Sequence, residues 1–169
     1  MKTFLSIALI SLSYLVYSQQ YEVSQDPKHP GVKVLRGIIN KYLLQNDSSF
    51  QWYKANQKFY GPDSSTLNAL ERTKGKIQFV LFGGTWCEDT QFILPQFFKL
   101  QELSGVPDSV ITFFGVNREK RSLSNITDAF GITNVPTIII MKNGKELGRV
   151  VEYGKSGKWD RELEGIIKQ

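Results

Sequence analysis

The feature that most constrains this chain is a change of apolar rhythm that recurs several times after residue 75. Residues 77–82 form a short, nearly continuous apolar run, suited to a strand buried on both faces. Residues 87–103 then carry Phe92, Leu94, Phe97, Phe98, Leu100 and Leu103 at helical spacing. A second buried run spans 110–116, a short helix spans 124–130 and stops at Gly131, and 137–141 hold three isoleucines. Asn143-Gly144 is a strong hairpin signal, so 146–152 reads as a returning edge strand, followed by an amphipathic helix over 157–167. The order is β-α-β-α-β-β-α. Strands separated by helices predict parallel neighbours joined by right-handed crossovers, and the hairpin adds an antiparallel pair. The expected class is α/β, a mixed four-stranded sheet with helices on both faces.

Upstream, residues 19–31 are polar and contain Pro27, His29, Pro30 and Gly31, an extended lead-in. Residues 32–44 place Val32, Leu35, Ile38, Ile39, Tyr42 and Leu43 at helical spacing. The polar stretch 46–49 breaks that pattern and offers a cap for a second helix with Phe50, Tyr53 and Tyr60 on one face, aromatics read as packing groups. Asp63 or Ser64 caps a third helix running through Arg72. Residues 19–74 are therefore a lead-in and helical N-terminal extension, and 75–169 the main domain. Residues 1–18 combine Lys2, an apolar run from Phe4 to Val16 and a small residue at Ser18, the pattern of a signal peptide cut before Gln19. The run is shorter than the ~20 apolar residues a membrane span needs. The expectation is an exported protein, periplasmic or secreted, with no stable membrane anchor after cleavage. The net charge of +5 is dispersed without a basic stripe, so nucleic acid is not an expected partner. No Cys/His metal spacing occurs, and neither metal nor cofactor is expected.

Exported proteins commonly staple themselves with paired cysteines, yet this chain has one, Cys87. It stands where a helix begins, facing unsatisfied N–H groups and the positive end of the dipole, both of which favour the nucleophilic thiolate. Glu88 and Asp89 oppose this. A like charge at ~4 Å costs about 1 kcal/mol in water, and the helix terminus returns about 0.3–1 kcal/mol, so the two nearly cancel.

The segment Phe82-Gly83-Gly84-Thr85-Trp86-Cys87-Glu88-Asp89-Thr90 resembles the active-site loop of thioredoxins, with Pro95 at the place of their helix proline. Residues 131–137, with Val135-Pro136, resemble the family's cis-proline segment, and 141–145 its hairpin. On these four motifs residues 75–169 resemble the thioredoxin-like superfamily, as an exported member with a monothiol Trp-Cys-x-x-Thr loop. The resemblance implies a thioredoxin fold and thiol–disulfide exchange at Cys87. Trp86 would shape access, and Val135 and Pro136 would hold an extended substrate backbone. Two departures matter. Thr90 replaces the resolving cysteine, leaving a hydroxyl able to hydrogen-bond the thiolate. Leu81 stands where many thioredoxins have a buried acid.

The first functional reading is a thiol–disulfide oxidoreductase acting through Cys87 with Thr90, forming mixed disulfides that an outside thiol resolves. Its partners would be protein or small-molecule thiols and disulfides. The second is a non-catalytic thioredoxin-fold module that binds a protein, since fold alone does not decide function. A thiol peroxidase ranks lower. Thr85 lies only two residues before Cys87, and no arginine is near it in sequence. His29, the only histidine, is read as solvated, and so is the charged run 118–121, with the alternative that Arg118 faces the site from the sheet end that also carries the Cys87 loop.

Overall fold

The computed structural model describes residues 20–169. The signal-peptide reading concerns residues 1–18 and lies outside the described residues. Six strands build one sheet: β1 (Tyr21–Gln25), β2 (Lys33–Ile39), β3 (Gln78–Gly83), β4 (Ile111–Gly115), β5 (Thr137–Lys142) and β6 (Lys145–Val151), in the order β1-β2-β4-β3-β5-β6. The helices are α1 (Lys41–Asn46), α2 (Trp52–Phe59), α3 (Ser64–Arg72), α4 (Glu88–Ser104), α5 (Ile126–Ala129) and α6 (Trp159–Ile167). No helix among the described residues is long and apolar enough to cross a membrane.

The expected mixed four-stranded sheet is present as β4-β3-β5-β6, with β3 and β4 parallel and β5 and β6 antiparallel. One expectation within it is corrected: β5 runs antiparallel to β3, not parallel. The cause is length. The four residues of α5 rise only about 6 Å, whereas a strand of five or six residues is about 17–20 Å long. So short a helix cannot return the chain to the far end of the sheet. β5 therefore starts at the end of the sheet where β4 finishes, beside the end of β3, which brings Pro136 to the same end as Cys87.

A second correction concerns residues 32–44, expected as a helix. They form β2, then the short α1 with Asn40 as its N-cap. The apolar spacing fits either structure, but Val34, Ile38 and Ile39 are β-branched and favour the strand. Gly37, in mid-strand, has φ +123°, which no helical residue adopts. β2 pairs antiparallel with β1 on one side and β4 on the other, so residues 20–39 extend the main sheet by two strands.

Gly37 faces Gly115 across the β2–β4 ladder. A Cβ at Gly37 would lie 2.4 Å from the Gln20 carbonyl oxygen, and one at Gly115 would lie 2.4 Å from that of Leu35. Gly37 thus permits the close approach of the backbone entering β1, and Gly115 that of β2, each of which a side chain would prevent.

Alternation along the strands gives the sheet two apolar faces. Phe79, Leu81, Phe113, Ile138 and Ile140 face the larger core beneath α2, α3, α4 and α6. Phe82, Ile139, Val116 and Val135 form a smaller core with Ile126 and Phe130 around α5. Phe97 on α4 meets Phe79 edge-on, ring centroids 5.3 Å apart, and both are fully buried. Each such side chain contributes about 1.5–3 kcal/mol by leaving water. Phe50 and Tyr53 are also core residues, as the packing reading expects.

Two polar clusters tie the N-terminal third to this core. Buried Lys41 donates to Gln101 Oε1 and lies 2.9 Å from both Glu102 and Asp108, which fixes α1 against the end of α4. Burial alone would lower the Lys41 pKa, but the two carboxylates outweigh it and the net shift is upward. Glu164 on α6 accepts from Thr66 at 3.0 Å and from Ser65 on α3, and pairs with Lys168 and Arg161. Its carboxyl is held at about 2, chiefly by the Lys168 ammonium and the Ser65 hydroxyl.

The glycine contacts give a paired prediction. Gly115→Ala should destabilise the protein by about 1–3 kcal/mol through overpacking against Leu35. Gly165→Ala, in α6 where a Cβ meets open space, should stabilise it by roughly 0.5–1 kcal/mol. Urea unfolding of both variants measures this, and equal midpoints would contradict the close approach.

Candidate active site

The loop from Gly83 to Cys87 leaves β3 and enters α4, with Cys87 as the N-cap residue at φ −95°, ψ 123°. No side chain caps the helix, and Glu88 and Asp89 occupy its first turn, where carboxylates complement the dipole. Cys87 is partly exposed. Its Sγ lies 3.2 Å from the Val135 carbonyl oxygen, with the thiol donating. The Val135–Pro136 peptide is cis. The Val135 N–H has no partner among the described residues, whereas the Pro136 carbonyl accepts from Glu152 N at 2.7 Å. Thus Cys87, Val135 and Pro136, read separately from the sequence, meet in space.

Thr90 does not reach the sulfur. Its side chain is buried, and its hydroxyl oxygen accepts the Gly84 N–H at 3.2 Å. The expectation that Thr90 hydrogen-bonds the thiolate is corrected: i+3 spacing on α4 turns it inward, behind the loop it braces. Thr85 is committed as well, donating to the Lys33 carbonyl at 2.7 Å and accepting from Leu35 N at 3.3 Å, both in β2. Gln91 closes the loop by donating to the Thr85 carbonyl at 2.8 Å.

Trp86 is held on three sides. Its Nε1–H donates to the Val116 carbonyl at 2.9 Å, and its ring lies so close to Gly84 that a Cβ there would come within 2.6 Å. The Arg118 guanidinium stacks on the ring, 4.8 Å from its centroid. Arg118 also donates through Nε and Nη2 to both oxygens of Asp26, at 2.7 and 2.6 Å. The Asp26 side chain is fully buried at the start of the β1–β2 turn and also accepts from Lys28 N. Arg118 holds the Asp26 carboxyl down at about 2, against the upward push of burial.

Two residues read as solvated, His29 and Arg118, therefore belong here. His29, Trp86, Cys87, Glu88, Asp89 and Arg118 line one cleft of about 530 Å³. His29 is distant from Cys87 in sequence but adjacent to the site, because the β1–β2 turn folds over the Trp86 side of the loop. The available signal was Asp26-Pro27 followed by Pro30-Gly31 between two strand-like segments, a hairpin-loop composition. Arg118 likewise supplies the nearby arginine that the sequence lacks. It is bonded to Asp26, and Thr85 is bonded to β2, so neither is arranged as in a peroxide-activating pair. Outside this cleft, Phe92 and Tyr153 form an exposed aromatic pair with centroids 6.0 Å apart. Burial and then Asp89 push the Tyr153 hydroxyl pKa up.

A family model for thioredoxin matches residues 65–165. The chain belongs to the thioredoxin family. Among similar proteins, a thioredoxin-like protein of Acanthamoeba polyphaga mimivirus is 31% identical over 87 residues, 52% of this chain and 60% of the relative. Thioredoxin H9 of Arabidopsis thaliana is 31% identical over 81 residues, 48% of this chain and 54% of the relative. The chain thus spans somewhat more than half the length of each. A Pseudomonas aeruginosa protein of unknown function superimposes with TM-score 0.56 at 16% identity over 76% of this chain and 90% of that one, a likeness of fold alone.

The Asp26–Arg118 pair gives a pH prediction. The Asp26 pKa is depressed in the folded state, so the pair stabilises the fold above the unfolded carboxyl value of about 3.9, and the contribution is lost as pH falls toward about 2. Asp26→Asn should therefore be less stable than the parent protein at pH 5 to 7, with the gap closing between pH 4 and 2. Urea midpoints across that range test it, and a constant gap would mean the pair does not form.

Proposed function

We propose that this thioredoxin-family chain carries out thiol–disulfide exchange through Cys87 alone. The observation that carries the reading is the placement of a partly exposed sulfur at the start of α4, 3.2 Å from the carbonyl of Val135 in the cis-proline segment. In this mechanism the Cys87 thiolate attacks a disulfide sulfur, one S–S bond breaks as another forms, and the departing thiol takes up a proton. The unpaired Val135 N–H offers an extended peptide a backbone partner beside the reacting sulfur. Thr90, bonded to Gly84, serves the reaction by holding the loop and not by contacting sulfur. With no second cysteine in the chain, the mixed disulfide waits for an external thiol. Protein and small-molecule thiols and disulfides are the proposed partners. Export to the periplasm or outside the cell is part of the same proposal, supported by the pattern of residues 1–18.

Two measurements test this. Protein beginning at Gln19 should react one-to-one with a disulfide reagent, faster than the same chain unfolded in guanidinium, and hold the mixed disulfide until thiol is added. Cys87→Ser should not react. A folded-state rate no higher than the unfolded one would rule out exchange at Cys87. In the host, mass spectrometry should find the mature N-terminus at Gln19, and recovery of an uncleaved chain would refute export by this route.

A further inference from the structure

The cleft beside Cys87 carries opposite charges on its two walls. On the β1–β2 side, Arg118 uses Nε and Nη2 on Asp26, while its Nη1 has no partner among the described residues and its side chain keeps 19% exposure. His29, exposed on the same wall, adds ring nitrogens. On the α4 side stand Glu88, exposed, and Asp89, with Trp86 and Cys87 between the walls. The volume of about 530 Å³ lies within the usual size range for small-molecule sites. It is formed only because the β1–β2 hairpin is added to the sheet.

We infer that this cleft binds a zwitterionic low-molecular-weight thiol, one bearing both an ammonium and a carboxylate, as the resolving partner of Cys87. The inference rests on the exchange reading above. The carboxylate meets the free edge of Arg118 and the His29 ring, the ammonium meets Glu88 and Asp89, and the sulfur lies at Cys87. In the first step the bound thiolate attacks the Cys87 sulfur of the mixed disulfide. The Cys87–substrate S–S bond breaks, a Cys87–small-thiol bond forms, and the substrate leaves as a thiolate that takes a proton from water. A second small thiolate then attacks the small-thiol sulfur, freeing Cys87 as thiolate and leaving a small-molecule disulfide. Two small thiols are oxidised for each disulfide reduced.

The test loads Cys87 with thionitrobenzoate and follows its release by four thiols: cysteine (zwitterionic), cysteamine (cationic), mercaptoacetate (anionic) and mercaptoethanol (neutral). Each rate is divided by that of the same thiol on an unstructured single-cysteine peptide carrying the same group, which removes differences in intrinsic reactivity. Cysteine should show a normalised rate at least fivefold above mercaptoethanol and above both singly charged thiols. His29→Ala and Glu88→Gln, at exposed positions, should each shrink that preference. A smaller advantage for cysteine, or either singly charged thiol equalling it, overturns the inference while leaving exchange at Cys87 standing. Failure of Cys87 to load at all overturns the exchange reading itself, and this inference with it.

Discussion

The close backbone approaches on either side of β2, to the start of β1 at Gly37 and to β4 at Gly115, are the contacts on which the rest of the arrangement depends. They make the N-terminal hairpin part of the main sheet, with a continuous ladder from β1 to β4. Once β2 is fixed there, its backbone lies against Thr85, and the turn that precedes it lies over Arg118 and Trp86. Two glycines without side chains thereby determine which charged groups stand beside the only thiol.

The active-site loop is otherwise a study in committed hydrogen bonds. Thr85 is spent on β2, Thr90 on Gly84, Trp86 on Val116, and Gln91 on the carbonyl of Thr85. Each bond contributes only about 0.5–1.5 kcal/mol, but leaving such buried groups unpaired would cost more. Beside the sulfur, whose one partner is the Val135 carbonyl, the groups left uncommitted are few: the Val135 N–H, one edge of Arg118 and the Glu88 carboxylate in the first turn of α4. A rigid frame around a few open valences is what a reactive thiol needs, because geometry lost at the sulfur is not recovered elsewhere.

The sequence was most readable where local rules and tertiary structure agree. Asn143-Gly144, the apolar runs of β3 to β5, the Asp63 cap of α3 and the meeting of Cys87 with Val135-Pro136 follow from turn chemistry, periodicity and family motifs. It was least readable where a long-range contact overrode a local pattern. Residues 32–44 carry helical spacing, yet the open edge of β4 and the glycine at position 37 make them a strand. β5 reverses because α5 is too short to cross the sheet, and no periodicity encodes that. Asp26 and His29 were invisible as site residues, and Arg118 was legible only through the sheet end it shares with Cys87, because these residues come from segments about 90 positions apart, and 30 to 60 from Cys87, joined only by sheet order.

The solitary thiol has one more consequence. Any disulfide made by these 169 residues must be shared with another molecule, so oxidation always adds a passenger. A dithiol protein can hide its oxidised state inside an unchanged outline. Here the oxidised form differs from the reduced one in mass, in charge and in the shape of the surface around Trp86. Its abundance would follow the concentration of whatever supplies the second sulfur, making the redox state a form of occupancy.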